Sequence, residues 1–346
     1  MSAIDSFHPH TMNIELTTKC PLHCPQCYCS LTGGKSIALD TAIFWLNEGK
    51  QAGVEEVMLS GGETLCYEHL FELISAASKI GLKTNVALSG VGFSQLVYDR
   101  LMASGVTGIF ISLNGATEKI NALTRDGYNY AIAALQLLKE NNYTNTTLNW
   151  VMHSNNADDF ENVVNLAEFY NVASIVIIGV KPDSKHALST IPSKDQIVKI
   201  KEQILSHKGN TRIFVESCNS PLLTYICDTR LFGNMNVGKN RGCGAGRNTF
   251  SVNVDGLLSP CRHLDYFEKA ASLTDYISKS PVIYNLQQRT VEPAKEPCCS
   301  CRFQNNCIPC AAINSKLEGN LNRGFKSCPI YEKTEQVDNG STENTM

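Results

Sequence analysis

Cys20, Cys24 and Cys27 stand in the run Lys19-Cys20-Pro21-Leu22-His23-Cys24-Pro25-Gln26-Cys27-Tyr28, directly behind a β-like stretch. Thiolates are the usual ligands of iron–sulfur clusters, and a cluster that only carries electrons is normally closed by a fourth cysteine. Three thiols at this spacing hold three irons of a 4Fe-4S cube and leave one iron free to bind a second molecule. Two plainer readings stand beside this one. A structural zinc site wants four ligands and would have to recruit Cys29 or His23, and three ordinary buried thiols would do no chemistry.

A second array lies toward the C-terminus. Cys243, the turn glycine Gly256 and Cys261 read C-x12-G-x4-C, and Cys298-x2-Cys301-x5-Cys307-x2-Cys310 is followed by Cys328. C-x2-C pairs also chelate zinc, which would rigidify this region without moving electrons. The chain has 15 cysteines, but it is long, has no export signal and groups its thiols at ligand spacings. Metal ligation in a reducing cytoplasm fits that usage better than disulfides. Cys66 is expected in the packed core and Cys299 has no assigned role.

These thiols need a scaffold. Up to about residue 208, β-branched runs alternate with helical patterns. Strands are expected at Asn13 to Thr18, Glu56 to Ser60, Lys83 to Leu88, Gly108 to Leu113, Thr147 to His153 and Ala173 to Val180. Helices are expected near Asp40 to Ala52, Glu68 to Ile80, Ser94 to Ser104, Tyr128 to Asn141, Asp158 to Tyr170 and Ser193 to His207. Six βα units predict an α/β fold, a partial (β/α)6 TIM-type barrel whose site lies at the C-terminal strand ends. Residues 1–210 are assigned to this barrel and 211–331 to an irregular cysteine-rich domain. That second domain is expected to bury little apolar surface and to depend on metal clusters for order. Residues 332–346 read as a disordered tail.

Net charge of −3 and a pI near 6.3 give no basic footprint, which argues against a nucleic-acid partner. No apolar run is long enough to span a bilayer, so no membrane association is expected.

The two arrays together resemble the radical S-adenosylmethionine (SAM) superfamily and, within it, the SPASM subgroup that modifies peptides and proteins. The resemblance covers roughly residues 10 to 331. It implies that SAM chelates the open iron and is reductively cleaved to a 5′-deoxyadenosyl radical, and that two auxiliary 4Fe-4S clusters bring the total to three. By position, Cys298, Cys301, Cys307 and Cys328 would hold the outer auxiliary cluster, and Cys243, Cys261 and Cys310 the inner one. Relatives space the last pair C-x3-C, whereas Cys307 and Cys310 enclose two residues. The inner cluster lacks an obvious fourth ligand: Cys227 or Cys218 could supply it, or one iron could stay open to substrate.

For the SAM pocket, the resemblance points to Ser60-Gly61-Gly62-Glu63-Thr64, similar to a GGEP motif with Thr64 in place of proline. Gly61 and Gly62 would let backbone approach the ligand, and Glu63 could take its cationic amino group. Ser112 and Asn114 stand where relatives meet the ribose and carboxylate, Asn114 replacing an aspartate. Arg125 matches an arginine that grips the methionine carboxylate; a surface arginine paired with Asp126 is the plainer alternative. Gln26 replaces an aromatic near the adenine.

Two further clusters suit oxidative outcomes, so a ribosomal-peptide maturase forming a cross-link, thioether or related product is the first expectation. Sulfatase-maturating relatives place an aspartate after the cysteine aligned with Cys261, and Arg262 stands there instead. Nineteen residues precede Cys20, too few for a leader-peptide-binding domain, so either a separate partner protein supplies one or the substrate is small. A flavodoxin or ferredoxin-type protein would donate the electron. A dehydrogenase of a small carbohydrate-like alcohol is the alternative enzyme, and a peptide epimerase would use Cys218 or Cys227 as hydrogen donor. An iron–sulfur electron carrier is the non-enzyme alternative, but it would not need the Gly61-Gly62-Glu63 pocket.

Overall fold

Alternation along the strands sets the layers of this protein, since successive side chains of a strand point to opposite faces. The computed structural model describes residues 7–29, 34–182, 185–227, 242–322 and 324–333. In chain order the elements are β1 (Thr11–Glu15), α1 (Leu39–Gln51), β2 (Glu56–Ser60), α2 (Leu70–Lys79), β3 (Lys83–Leu88), α3 (Gln95–Ser104), β4 (Gly108–Ser112), the single-turn α4 (Glu118–Asn121), α5 (Tyr128–Glu140), β5 (Thr146–Met152), α6 (Phe160–Phe169), β6 (Ser174–Gly179), α7 (Lys194–Ser206), β7 (Arg212–Val215), α8 (Ser220–Cys227), β8 (Thr249–Val252), β9 (Leu258–Ser259), α9 (Leu273–Lys279), α10 (Pro281–Val291) and α11 (Ala311–Glu318).

The strands form one nine-stranded sheet in the order β7-β6-β5-β4-β3-β2-β1-β8-β9. All neighbours are parallel except β8 and β9. Register aligns Ile14 with Leu59, Leu59 with Val86 and Val86 with Ile109. A second row runs Leu88, Ile111, Leu148 and Ile175. These residues are buried among core side chains of the helices, including Trp45, Leu73, Leu101, Leu135, Phe160 and Ile197. Full burial of each such side chain contributes about 1.5–3 kcal/mol. A one-residue slip of any strand would turn its whole apolar set to the other face.

The α/β architecture with a parallel sheet and six βα units is as the sequence predicts, and among the described residues no strand pair closes a ring. The C-terminal region extends both edges. β7 adds to β6, and β8 lies parallel to β1, with Thr11 opposite Thr249. The β8–β9 turn is fixed at Gly256, whose φ of +75° favours glycine. An added Cβ there would meet Thr41 Cγ2 of α1 at 2.7 Å, and the indole of Trp45 donates to the Gly256 carbonyl at 3.1 Å.

The expectation that residues beyond 211 bury little apolar surface is overturned. Phe250, Val252, Leu258, Leu273, Tyr276, Ile283, Leu286, Phe303 and Leu317 are all buried. Their helices are short, and α9 and α10 are separated only by Ser280, whose hydroxyl caps α10 at the Ile283 amide. So brief a period leaves a weak sequence pattern. Cys66 also departs from expectation: it is exposed at the end of a 3-10 turn whose buried residue is Thr64. Of residues 332–346, expected as a disordered tail, Glu332 pairs with Lys194 and Arg302 and Lys333 forms a β-bridge with Cys301, while 334–346 lie outside the described residues.

Candidate active site

The three-cysteine loop leaves the sheet at the C-terminal end of β1. Leu16 N donates to the Ser60 carbonyl at 2.8 Å, and Thr18 N to the Lys35 carbonyl at 2.8 Å. The segment 124–127 then clasps the loop: Gln26 N donates to the Thr124 carbonyl at 3.3 Å, and His23 N to Asp126 Oδ2 at 2.9 Å. Gly127 completes the clasp, with a φ of +82° and a position where a Cβ would meet Leu22 Cδ1 at 2.9 Å. Asp126 is therefore spent on the loop backbone, and among the described residues it forms no ion pair with Arg125.

Gly61 and Gly62 serve the same loop. Gly62 N donates to the Thr17 carbonyl at 2.6 Å and Glu63 N to the Lys19 carbonyl at 2.8 Å. A Cβ on Gly62 would stand 2.3 Å from the Lys19 oxygen, and one on Gly61 2.5 Å from the Thr17 oxygen. Glycine is needed here so that backbone can meet backbone.

Cys20, Cys24 and Cys27 line a cavity of about 770 Å³ with Gly61, Gly62, Ser112, Asn114 and Arg125. Residues from the ends of β2 through β6 face it, and Arg262, His263 and Lys316 face them from the C-terminal region. The sheet thus wraps around one site. Glu63 stands behind the wall. Its carboxylate accepts from Ser89 N at 2.9 Å, from the Ser89 hydroxyl, and from Leu65 N at 3.2 Å; burial pushes its pKa up, opposed by those bonds and by Arg125. Asn114 is fully buried and its amide is engaged, accepting from Val151 N at 3.1 Å and donating to Thr124 Oγ1 at 3.0 Å.

Four polar atoms of cavity-lining residues are buried without a protein partner among the described residues: Gln26 Oε1, Ser60 Oγ, Arg125 Nε and His263 Nδ1. Orphaned buried polar atoms are rare in folded proteins. These polar residues line one cavity with the three thiols, a donor set that fits a SAM-bound cluster. Among the described residues no group of three His, Cys, Asp or Glu side chains is drawn together as a single metal ion would require.

A second cavity, of about 320 Å³, is lined by Cys218, Cys243, Cys261 and Cys310, which arrive from four separate segments. Cys243 precedes β8, Cys261 follows β9, Cys310 is the N-cap of α11, and Cys218 follows β7. The neighbouring Cys218, aided by the Lys181 charge, pulls the Cys310 thiol down to about 6 against its burial, while the Cys218 thiol donates to Glu216 Oε2 at 2.7 Å. Cys298, Cys301, Cys307 and Cys328 form the other group. Burial pushes Cys307 up to about 11 and Cys328 up to about 12, and each feels the charge of Cys298 and Cys301. The Cys227 side chain lies outside the described residues.

Lys181, Arg262 and His263 line both cavities and form the wall between them. Lys181 Nζ lies 3.0 Å from Glu216 Oε2. Burial works against the Lys181 ammonium, yet the neighbouring Cys218 and Glu216 hold it charged. Arg262 Nε donates to His263 Nε2 at 3.2 Å. Burial, followed by the charges of Lys181 and Arg262, drives the His263 pKa well down and keeps the ring neutral. The ring of Tyr28 packs on His263 at 4.5 Å between centroids, with the Arg262 guanidinium 5.4 Å from its centre. The sequence reading missed Lys181, Glu216 and His263, whose positions follow no motif; Arg262 was noticed only for the aspartate it replaces.

Residues 14–167 match the Radical SAM superfamily model. A curated PqqA peptide cyclase from Ruegeria pomeroyi is 37% identical over 166 residues, 46% of this chain and 44% of that protein. The chain thus spans less than half the length of that relative. Among solved structures, Streptococcus suis SuiB bound to S-adenosylmethionine aligns with a TM-score of 0.73 at 17% identity, over 93% of this chain and 75% of that one. Native anSMEcpe with bound AdoMet aligns with a TM-score of 0.69 at 17% identity, over 91% of this chain and 93% of that one. These two likenesses establish the shared fold.

Proposed function

We propose that this chain, whose residues 14–167 match the Radical SAM superfamily model, is an iron–sulfur enzyme that reductively cleaves SAM and oxidatively modifies a side chain of a peptide. The observation that carries the reading is the cavity of about 770 Å³ shared by Cys20, Cys24, Cys27 and unpartnered buried polar atoms. Its volume lies within the range of about 300–1,000 Å³ usual for small-molecule sites. When bound, the cluster and SAM supply a species able to abstract hydrogen from an unactivated carbon.

The chain's own residues divide the remaining work. Cys20, Cys24 and Cys27 hold three irons, and the Gly61-Gly62 backbone fixes their loop. Arg125 lines the cavity, its Nε has no protein partner among the described residues, and its guanidinium suits a carboxylate. Glu63 and Asn114, with their side chains engaged by protein groups, act by holding the cavity wall. Ser112 offers a hydroxyl at the end of β4. Cys243, Cys261 and Cys310 hold the inner auxiliary cluster, and Cys298, Cys301, Cys307 and Cys328 the outer one. Neutral His263 and Lys181, paired with Glu216, stand in the wall between the inner cluster and the substrate cavity.

A peptide substrate is supported by the relative named a PqqA peptide cyclase and by structures of SuiB with its precursor peptide SuiA and of anSMEcpe with a bound peptide. A separate leader-peptide-binding protein and a flavodoxin or ferredoxin-type donor complete the system. The cytoplasm is its proposed location; no helix of the described residues is long and apolar enough to cross a membrane. The test is mass spectrometry of peptides encoded beside the gene after anaerobic incubation with reconstituted protein, SAM and reductant. A loss of two hydrogens supports the reading. Conversion of a small alcohol to a ketone, with every peptide unchanged, would replace it by the dehydrogenase.

A further inference from the structure

We propose that Cys218 is the fourth protein ligand of the inner cluster, so that this cluster presents no open iron to substrate. The inference rests on the function proposed above and decides between the two states that reading leaves for the inner site.

Cys218 belongs to the second cavity and does not line the first. It shares that lining with Cys243, Cys261 and Cys310, and its thiol donates to Glu216 Oε2 at 2.7 Å, which anchors it at this cavity. Cys243 and Cys310 are buried at 6% and 3% exposure, and Cys218 packs against the same apolar cluster. A cluster in this cavity would therefore meet a thiol from each of four chain segments, the full complement of a closed 4Fe-4S cube. Several thiolates buried together need nearby positive charge. Lys181 and Arg262 line the same cavity and supply it.

The position of Cys218 follows from the fold. β7 adds in parallel to β6 and delivers Glu216 and Cys218 just beyond its C-terminal end. Lys181 stands beyond the neighbouring end of β6, so the Lys181–Glu216 pair fixes the loop on which Cys218 rides. The other candidate, Cys227, ends the eight-residue α8, whose backbone carries it about 10 Å along the helix axis from Ser220. The Ser220 hydroxyl instead reaches Cys307 Sγ of the outer set at 3.1 Å.

The test uses the full chain with Cys20, Cys24 and Cys27 replaced by alanine, so that only auxiliary clusters report. This parent should bind about eight irons. Adding Cys218→Ala should lower that to about seven and produce, on mild oxidation, the EPR signal of a 3Fe-4S centre, because the unprotected iron is lost. Cys218→Ser, with an oxygen able to take the same position, should retain the iron with altered EPR g-values and guards against simple misfolding. Cys227→Ala should match the parent. Iron content and EPR of Cys218→Ala identical to the parent, or the 3Fe-4S signal arising from Cys227→Ala, would overturn the proposal. A parent that binds zinc, or four irons or fewer, would overturn the auxiliary-cluster reading beneath it and is readily told apart.

Discussion

Lys181 Nζ and Glu216 Oε2, 35 residues apart in sequence, meet at 3.0 Å in the wall between the two cysteine-lined cavities. The Lys181 side chain is only 5% exposed, whereas Glu216 retains 27%. Such a pair contributes little net stability but is costly to break, because the surviving charge stays buried. Glu216→Gln should therefore destabilise the protein by about 2 kcal/mol, below the range of about 3–5 for fully buried pairs. Urea unfolding of the reconstituted protein measures it, and a change under about 0.5 kcal/mol would show that the pair is not coupled to the fold.

Gly62→Ala should disable the first cluster alone. The added Cβ would stand 2.3 Å from the Lys19 carbonyl oxygen, and backbone on both sides leaves nothing flexible to yield. Reconstituted Gly62→Ala is expected to bind about four irons fewer than wild type while retaining the C-terminal complement. Full iron content together with normal SAM cleavage would contradict the packing role assigned to this glycine.

Arg125 is predicted to set SAM affinity. Its Nε is buried without a partner, and a hydrogen bond to a charged group contributes about 1.5–3 kcal/mol. Arg125→Ala should weaken anaerobic SAM binding by about ten- to a hundredfold, with Arg125→Lys in between because a point charge replaces a fork. Calorimetric titration of SAM into the three proteins distinguishes this from a surface arginine, for which all three affinities would agree.

Glu15 should impose a pH dependence on stability. Burial pushes its carboxyl from 4.5 up to about 7, against the pull of Arg262. A raised carboxyl favours the protonated folded state, so its contribution is full below pH 4.5 and is lost as pH climbs to about 7. Relative to wild type, Glu15→Gln should thus gain up to roughly 3 kcal/mol across that interval and nothing below it. Parallel pH profiles of unfolding free energy for the two proteins would contradict this.

The six βα units were legible because each strand of the parallel sheet is a short apolar or β-branched run between longer amphipathic patterns. Even so, the first strand was read as Asn13 to Thr18, whereas β1 spans Thr11–Glu15. Leu16 to Thr18 keep an extended, apolar look, but Thr18 bonds to Lys35 and already belongs to the cysteine loop. β7 and β8 went unread because each has four residues and gains its place only by parallel pairing with a distant strand. Within the site, cysteine spacing revealed most of the thiol-bearing segments. It left Cys218 and Cys227 as alternatives beside Cys243, Cys261 and Cys310, and could not show that Glu63 accepts from Ser89. Those relations arise only where the ends of separate strands converge.

The central claim is that Cys20, Cys24 and Cys27 hold a cluster that cleaves SAM. Its most direct test is release of 5′-deoxyadenosine by reconstituted protein given dithionite and SAM, compared with Cys24→Ala under the same conditions. Wild type should release 5′-deoxyadenosine, and Cys24→Ala should fall to the background of protein without iron. Release by Cys24→Ala at the wild-type rate, or none from wild type carrying its full iron complement, would contradict the account.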